Sequence, residues 1–231
     1  DKPVYLKRVR RTRLPLQYSA LEIARTESRK DLADIDRKLT LFEQRVREFR
    51  VPTLNERSNS PVDYCELYRK RYMPPAQESK ALGASVRFLS EPSGKYKEMA
   101  AALTDGLFGG STFVESWVGW DGAFIIDLGD KKPVSSVETD FLHQIGAWIL
   151  CPLKVVYSYS EDGQKYTLWE VHDLPEERSG KVKFTGVRSE CPRPVSMRYI
   201  KVEITGTKEC PAWHYGVGHP SWFFVDEVTV L

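Results

Sequence analysis

The chain has 231 residues, 41% of them apolar and 29% charged, with a net charge of +2. This is the composition of one large or two small globular domains, and it excludes a disordered or collagen-like chain. The small net charge excludes a polyanion-binding surface over the whole chain. No apolar run reaches the roughly 18 residues of a membrane helix, so no membrane insertion is expected.

The average conceals two parts. Residues 1–95 carry 21 Lys and Arg against 13 Asp and Glu, and the remainder carries 13 against 19. All six Trp, at 117, 120, 148, 169, 213 and 222, fall in the second part. The chain starts at Asp1 without Met, as expected of a mature or excised piece of something longer. The first basic cluster, LKRVRRTR at 6–13, lacks the interleaved aromatic residues of a nucleic-acid groove. It reads instead as a helix or strand whose arginines meet acidic groups of an upstream domain, and no nucleic acid is expected.

No Gly or Pro interrupts the chain between Pro15 and Pro52. Apolar residues step by three and four through Leu32, Ile35, Leu39, Phe42, Val46 and Phe49. That heptad seam predicts one long helix over about 15–50, packed against another. A second helix over about 61–73 is predicted by Ser60 as N-cap, Pro61 at the first position and Asp63 at the third. Together they make a helical segment of roughly 1–90.

After Pro92-Ser93-Gly94 the apolar period changes from 3.6 to 2. Strands are predicted at 123–128, 134–142, 153–160, 166–171, 182–187, 198–205 and 222–230. Asp162-Gly163 is a hairpin signal between two of them. Short strands without intervening helices predict an antiparallel β-sandwich or jelly roll over roughly 96–231, so the fold class is mostly β with an N-terminal α-helical segment. Cys65, Cys151, Cys191 and Cys210 form no CxxC pair and lack zinc-site spacing. A disulfide among the last three stays open. His214 and His219, five apart, and His172 have no ligand spacing. There is no GxSxG and no marked carboxylate pair, so no enzyme is expected from this chain alone.

Several pieces together resemble one family. They are LTDG (103–106), Trp117 and Trp120, IDLGD (126–130), VSSVETDFL (134–142), YSYSEDGQKY (157–166), MRYIKVEI (197–204) and FFVDEVTV (223–230). Their order is similar to that of the coagulation factor 5/8 type C, or discoidin-like, domain, a group that includes galactose-binding-like carbohydrate-binding modules. The stretch LFGGSTFVES before Trp117 is longer than the family pattern. The run RVRRTRLPLQYSALE (8–22) resembles the helical tail that follows a glycosidase-like barrel in large secreted bacterial proteins.

The resemblance implies a structural Ca²⁺ tying the first loop to the last strand. Asp105 in LTDG and Glu227 in VDEV match its acidic positions, and Ser111 or nearby carbonyls would complete an oxygen shell. The plainer alternative is an Asx turn at Asp105 and a solvated Glu227. A sugar site needs an aromatic ring for the C–H face and polar groups for the hydroxyls. LHQIGAW (142–148) offers His143 and Trp148, and PAWHYGVGHPSW (211–222) offers Trp213 and His214. The resulting expectation is a non-catalytic carbohydrate-binding module. It would form the C-terminal part of a secreted, extracytoplasmic bacterial glycan-degrading protein, with a glycan and an upstream catalytic domain as partners. The alternative is a structural module that docks on that upstream barrel without binding sugar.

Overall fold

The computed structural model describes residues 2–26, 31–54, 60–73, 78–90, 101–109, 118–119 and 122–231. The chain divides into two compact units, Asp1–Pro75 and Ala76–Leu231.

The first unit contains α1 (Lys2–Thr12), α2 (Leu14–Thr26), α3 (Leu32–Glu48) and α4 (Pro61–Arg71). The single helix expected over 15–50 is therefore two. Asp31 leaves helical geometry (φ −84°, ψ 91°), and its side chain accepts the Asp34 N–H at 3.0 Å. The absence of Gly and Pro permits a helix but does not require one. Residues 26–31, TESRKD, give a continuous helix nothing apolar to bury, while Asp31 supplies a cap for a new start. The middle of the seam packs as expected, with Ile35, Leu39, Phe42 and Val46 buried, whereas its first residue, Leu32, is exposed and its last, Phe49, is half-buried. α4 starts where its cap predicts, the Ser60 hydroxyl accepting from Asp63 N–H at 3.3 Å. Phe42, Tyr64, Tyr68 and Tyr72 form an edge-to-face ladder, and the Tyr68 hydroxyl donates to Leu21 O at 2.8 Å. The basic run lies mostly on α1, which buries no side chain.

The second unit contains β1 (Ser85–Phe88), β2 (Val118–Gly119), β3 (Gly122–His143), β4 (Lys154–Ser160), β5 (Thr167–Asp173), β6 (Lys183–Thr205) and β7 (Phe224–Val230). Their order is β2-β7-β3-β6-β4-β5, with β1 beside β3, and every pair is antiparallel. β1 was not anticipated, and it places residues 78–90 with the sandwich rather than with the helices. Two expected strand pairs are each one long strand. β3 joins 123–128 to 134–142, and β6 joins 182–187 to 198–205. They pair from Gly122↔Ile204 to His143↔Lys183.

That ribbon slips register twice. Between Asp127 and Lys132, four residues of β3 oppose Arg198 alone. Between Val134 and Ser136, residues 191–194 of β6 oppose Ser135 alone. Bulges of this size bend a ribbon sharply. The first half of β3 and the second half of β6 join β1, β4 and β5 in one layer; the other halves join β2 and β7 in the second. Inward residues of both layers, Phe124, Ile126 and Val202 from one and Val137, Phe141 and Val228 from the other, share a single core.

The layers are also joined by a buried hydrogen bond. Tyr157 rises from β4, its ring fully buried. Its hydroxyl donates to Val187 O at 2.8 Å on the other layer and pairs with the Thr139 hydroxyl. Tyr157→Phe keeps the ring and strands both partners, so we expect a loss of about 1–2 kcal/mol in urea unfolding with an unchanged m value. A change below about 0.3 kcal/mol would show that this bond contributes nothing to joining the layers.

Candidate functional site

Because the ribbon folds back, both ends of β3 and β6 arrive at one end of the sandwich. Three connections meet there: 144–153, 174–182 and 206–223. They are stitched together through the main chain. Leu150 N–H donates to Trp222 O at 2.8 Å, Trp222 N–H to Trp148 O at 2.9 Å, and Leu153 N–H to Thr205 O at 2.8 Å. A small apolar cluster of Leu142, Ile149 and Phe224, with Trp222 packed on it, supports them.

Trp148 closes a 3-10 turn (Ile145–Ala147) in left-handed geometry, φ 62°. Its Nε1–H donates to the Tyr215 hydroxyl at 2.9 Å, and that hydroxyl donates to Gly146 O at 3.2 Å. The Tyr215 ring stacks on His214 at 4.5 Å and 26°. His214 Nδ1 accepts from Gly216 N–H at 2.9 Å and Nε2 lies 3.2 Å from Ile145 O, which assigns the proton to Nε2. Gly216 permits the close approach, since a Cβ would sit 3.2 Å from the Trp148 ring and 3.3 Å from His214 Nδ1 and would push them apart by a few tenths of an ångström. The result is a ring pinned at its hydroxyl and along one face, yet 69% exposed. His219 flanks Trp148, with ring centroids 5.4 Å apart.

Trp213 stands edge-on to His214 at 5.8 Å. Its Nε1–H donates to Glu176 at 2.7 Å, and Arg178 lies over its ring at 5.6 Å. Trp148, Trp213 and His214 thus share one cluster. His143 lies beneath it and reaches no solvent. The sequence pattern singles out the loop but not Tyr215, an exposed ring within it, nor Glu176 and Arg178 from a loop without aromatic residues.

Asp105 and Glu227 also converge. β7 carries a bulge where Asp226 and Glu227 oppose Asp140 alone. A two-for-one bulge re-aims side chains, and both acids receive N–H groups from the loop before β2: Gly106 to Glu227 at 2.8 Å, Gly109 to Asp226 at 2.5 Å. Glu227 is buried, not solvated, and its Oε1 has no hydrogen-bond partner among the described residues. Burial, and then the charge of Asp105, pushes its carboxyl up to about 8. Partial burial raises Asp105 as well, although its Oδ1 accepts Leu107 N–H at 2.8 Å in an Asx turn. Asp226 was not anticipated; its signal is a second acid in an otherwise alternating apolar strand. Ser111, Trp117 and Trp120 lie outside the described residues. Among the described residues no group of three or more His, Cys, Asp or Glu is arranged to hold a metal.

His172 bonds the Ser189 hydroxyl at 2.7 Å and approaches Glu170 at 3.5 Å, but through the same nitrogen. A relay needs both ring nitrogens, and Ser189 is buried, so this is not a nucleophilic triad. All four cysteines are free thiols. No described helix is long and apolar enough to cross a membrane.

Burial holds His143 below the usual histidine range, its Nε2–H meeting Ser179 O at 3.0 Å and its Nδ1 meeting no partner among the described residues. Above pH 6.5 both folded and unfolded forms are neutral, and below it the unfolded chain takes up the proton first. Stability should therefore fall as pH drops below 6.5, by up to about 1.4 kcal/mol per pH unit until the folded group titrates. Urea unfolding across pH 5–8 checks this; the component should vanish in His143→Gln.

Residues 87–222 match the F5/8 type C domain family, which is more than half of the chain. No curated protein matches. Similar solved structures include CpGH89CBM32-6 of Clostridium perfringens, at 15% identity and a TM-score of 0.41, covering 67% of this chain and 98% of that one. Chitosan-binding module 1 of a Paenibacillus sp. IK-5 chitosanase/glucanase has 15% identity and a TM-score of 0.43, covering 67% and 99%. CBM32-1 of a family 31 glycoside hydrolase from Clostridium perfringens has 16% identity and a TM-score of 0.42, covering 68% and 99%. On the strength of the matched residues, the chain belongs to the F5/8 type C domain family.

Proposed function

We propose that this chain is a non-catalytic carbohydrate-binding module, the accessory part of a secreted, extracytoplasmic bacterial glycan-degrading protein. The observation that carries this reading is the Tyr215 ring, held by Trp148, His214 and Gly146 with its other face open at the loop end of a family-typical sandwich. An aromatic face held in place suits the C–H face of a sugar. A single stacked ring and a few hydrogen bonds leave little after desolvation, so affinities are millimolar to micromolar. The expected test is a glycan array followed by calorimetry. Tyr215→Ala should weaken the best glycan about tenfold or more, with the melting midpoint within a few degrees of the parent; Trp148→Ala should do likewise by releasing the ring. An array without hits, or Tyr215→Ala binding as well as the parent, would remove this reading. The docking alternative draws on α1, where Val4, Tyr5, Leu6 and Val9 are all exposed. Tighter association with an upstream catalytic domain than with any glycan would favour it.

The second part of the proposal is a structural Ca²⁺ held by Glu227 and Asp105, with Ser111 and loop carbonyls as further oxygen donors. Glu227, buried with one oxygen lacking a partner among the described residues, and Asp105 at the more exposed side of the same loop, offer oxygens that suit a hard ion. The ion would supply charge neutralisation that ties the first loop to β7. In EDTA, a carboxyl raised to about 8 contributes most to stability below pH 4.5, and that contribution is lost as pH rises toward 8. Ca²⁺ should reverse the loss, adding about 2.7 kcal/mol at 100 times its Kd, and Glu227→Gln should abolish both effects. A melting midpoint at pH 8 indifferent to Ca²⁺ would refute the site.

A further inference from the structure

The outer face of the sandwich carries a cleft of about 330 Å³, apart from the aromatic loops. Phe124 and Ile126 point into the core, so Ile125 and Asp127 point outward. Cross-strand register places Arg87 and Lys201 on either side of Ile125, and Ser85 and Tyr199 on either side of Asp127. The β4–β5 hairpin forms one wall. Gly163 there has φ +74°, and a Cβ on it would lie 3.1 Å from the Tyr199 ring, so the hairpin backbone rests on that ring. The cleft sits at the Ser160 end of β4 and the aromatic loops at the Lys154 end. Seven strand residues separate them by roughly 20 Å.

The lining is that of a ligand site rather than of packing. Its floor, Ile125, is apolar and only 5% exposed although it faces away from the core. The Tyr166 hydroxyl on its wall is buried with no hydrogen-bond partner among the described residues. Buried polar groups are rarely left so, and each one calls for an occupant or a water. Arg87 is exposed and makes no ion pair or hydrogen bond among the described residues. Asp127 is neutralised by the two-pronged Arg198 pair at 2.7 and 2.9 Å. Asp162 is held down to about 2 by the N–H groups of Gln164 and Lys165, so it is ionised at neutral pH. The Lys201 ammonium, 5.4 Å over the Tyr166 ring, is paired with Glu203 at 2.9 Å. Beyond these pairs, one guanidinium and one carboxylate remain on the lining. That balance attracts no net ion of either sign. It suits hydroxyl groups, which both donate and accept.

We infer that this cleft is a second saccharide subsite, for one uncharged sugar residue, with hydroxyls bonded to Arg87, Asp162 and the Tyr166 hydroxyl and the ring over Ile125. Its volume, at the small end for ligand pockets, fits a single residue of a chain. Only the choice of ligand class rests on the proposed glycan-binding role; the site itself is separate from the loops.

The test is an amide chemical-shift titration of the whole ¹⁵N-labelled chain with galactose, N-acetylgalactosamine and glucose, and with glucuronate as the charged control. The expected result is a saturable shift of amides at 87, 125 and 162–166 with at least one neutral sugar. Tyr166→Phe should weaken that response tenfold or more without lowering the melting midpoint, because it removes a hydroxyl that the protein leaves unpaired. Arg87→Gln should weaken it too. Neither variant should alter shifts at 145–148 or 213–217. Silence at 87 and 162–166 while the loop amides respond overturns this inference and leaves the loop reading intact. A response at 87 and 162–166 with silent loops does the reverse. A response to glucuronate alone, or a Tyr166→Phe variant that melts earlier and binds equally well, also overturns it.

Discussion

One bent ribbon governs the sandwich. β3 and β6 are paired along more than twenty residues, and a straight ribbon of that length would bury only one face of each half. The two register slips at 128–131 and 191–194 let it fold on itself, so that Phe124 and Val202 come to share a core with Phe141 and Val228. The residues in the slips are those a regular ladder rejects. Gly129 takes φ +84°, and Pro192 and Pro194 have no N–H to give. Pro133 lies between the span of β3 paired to β1 and the span paired to β7, where β6 is the one strand paired to β3 among the described residues. The fold also has a functional consequence. It returns four strand ends to one place, and the connecting loops acquire a rigid base.

The same device recurs on a smaller scale in β7. One extra residue turns Asp226 and Glu227 toward the loop at 104–109. Two backbone N–H groups meet them, but hydrogen bonds to a carboxylate do not cancel its desolvation, and Glu227 remains a poor acid in consequence. The strand is thereby built around a local conflict: an apolar, well-packed element carries two buried acids at its centre. Conflicts of this kind are expected where function, not stability, selects the residue.

Much of this was legible in the sequence, and the parts that were not share a cause. The α4 cap at Ser60, the seam of α3 and the Asp162-Gly163 turn are local, set by residues three or four apart, and each appears where its pattern places it. The long strands were missed because Gly129, Pro133, Pro192 and Pro194 read as strand ends. Whether a proline ends a strand or sits in a bulge depends on the partner strand, which local pattern does not contain. The break at Asp31 was missed for the converse reason: nothing in the sequence forbids a helix there, but TESRKD at 26–31 offers no apolar residue for one to bury. At the loop end, composition located the aromatic segment. Which ring stays open depended on Gly216 letting two loops approach, and on His214 and Trp148 taking the remaining contacts.

The hydrogen bonds of that cluster constrain what it can recognise. Trp148 N–H is spent on Tyr215, the Tyr215 hydroxyl on Gly146, both nitrogens of His214 on backbone groups, and Trp213 N–H on Glu176. Glu176 in turn engages Arg178. Satisfied groups hold the rings still, which lowers the ordering cost of binding, but they have little left for a ligand. The exposed His219, the remaining donors of Arg178 and the loop carbonyls are what a sugar hydroxyl can reach. Discrimination between sugars differing in one hydroxyl requires buried polar groups that one partner satisfies and the other leaves bare. Among the described residues the loop end holds two such atoms, His143 Nδ1 and Gln144 Oε1, both beneath the rings on buried side chains, and the cleft beside Ile125 has one in the Tyr166 hydroxyl. On the proposed reading, stacking on Tyr215 supplies contact that differs little between sugars, and the groups that could tell one hydroxyl from another lie off that ring.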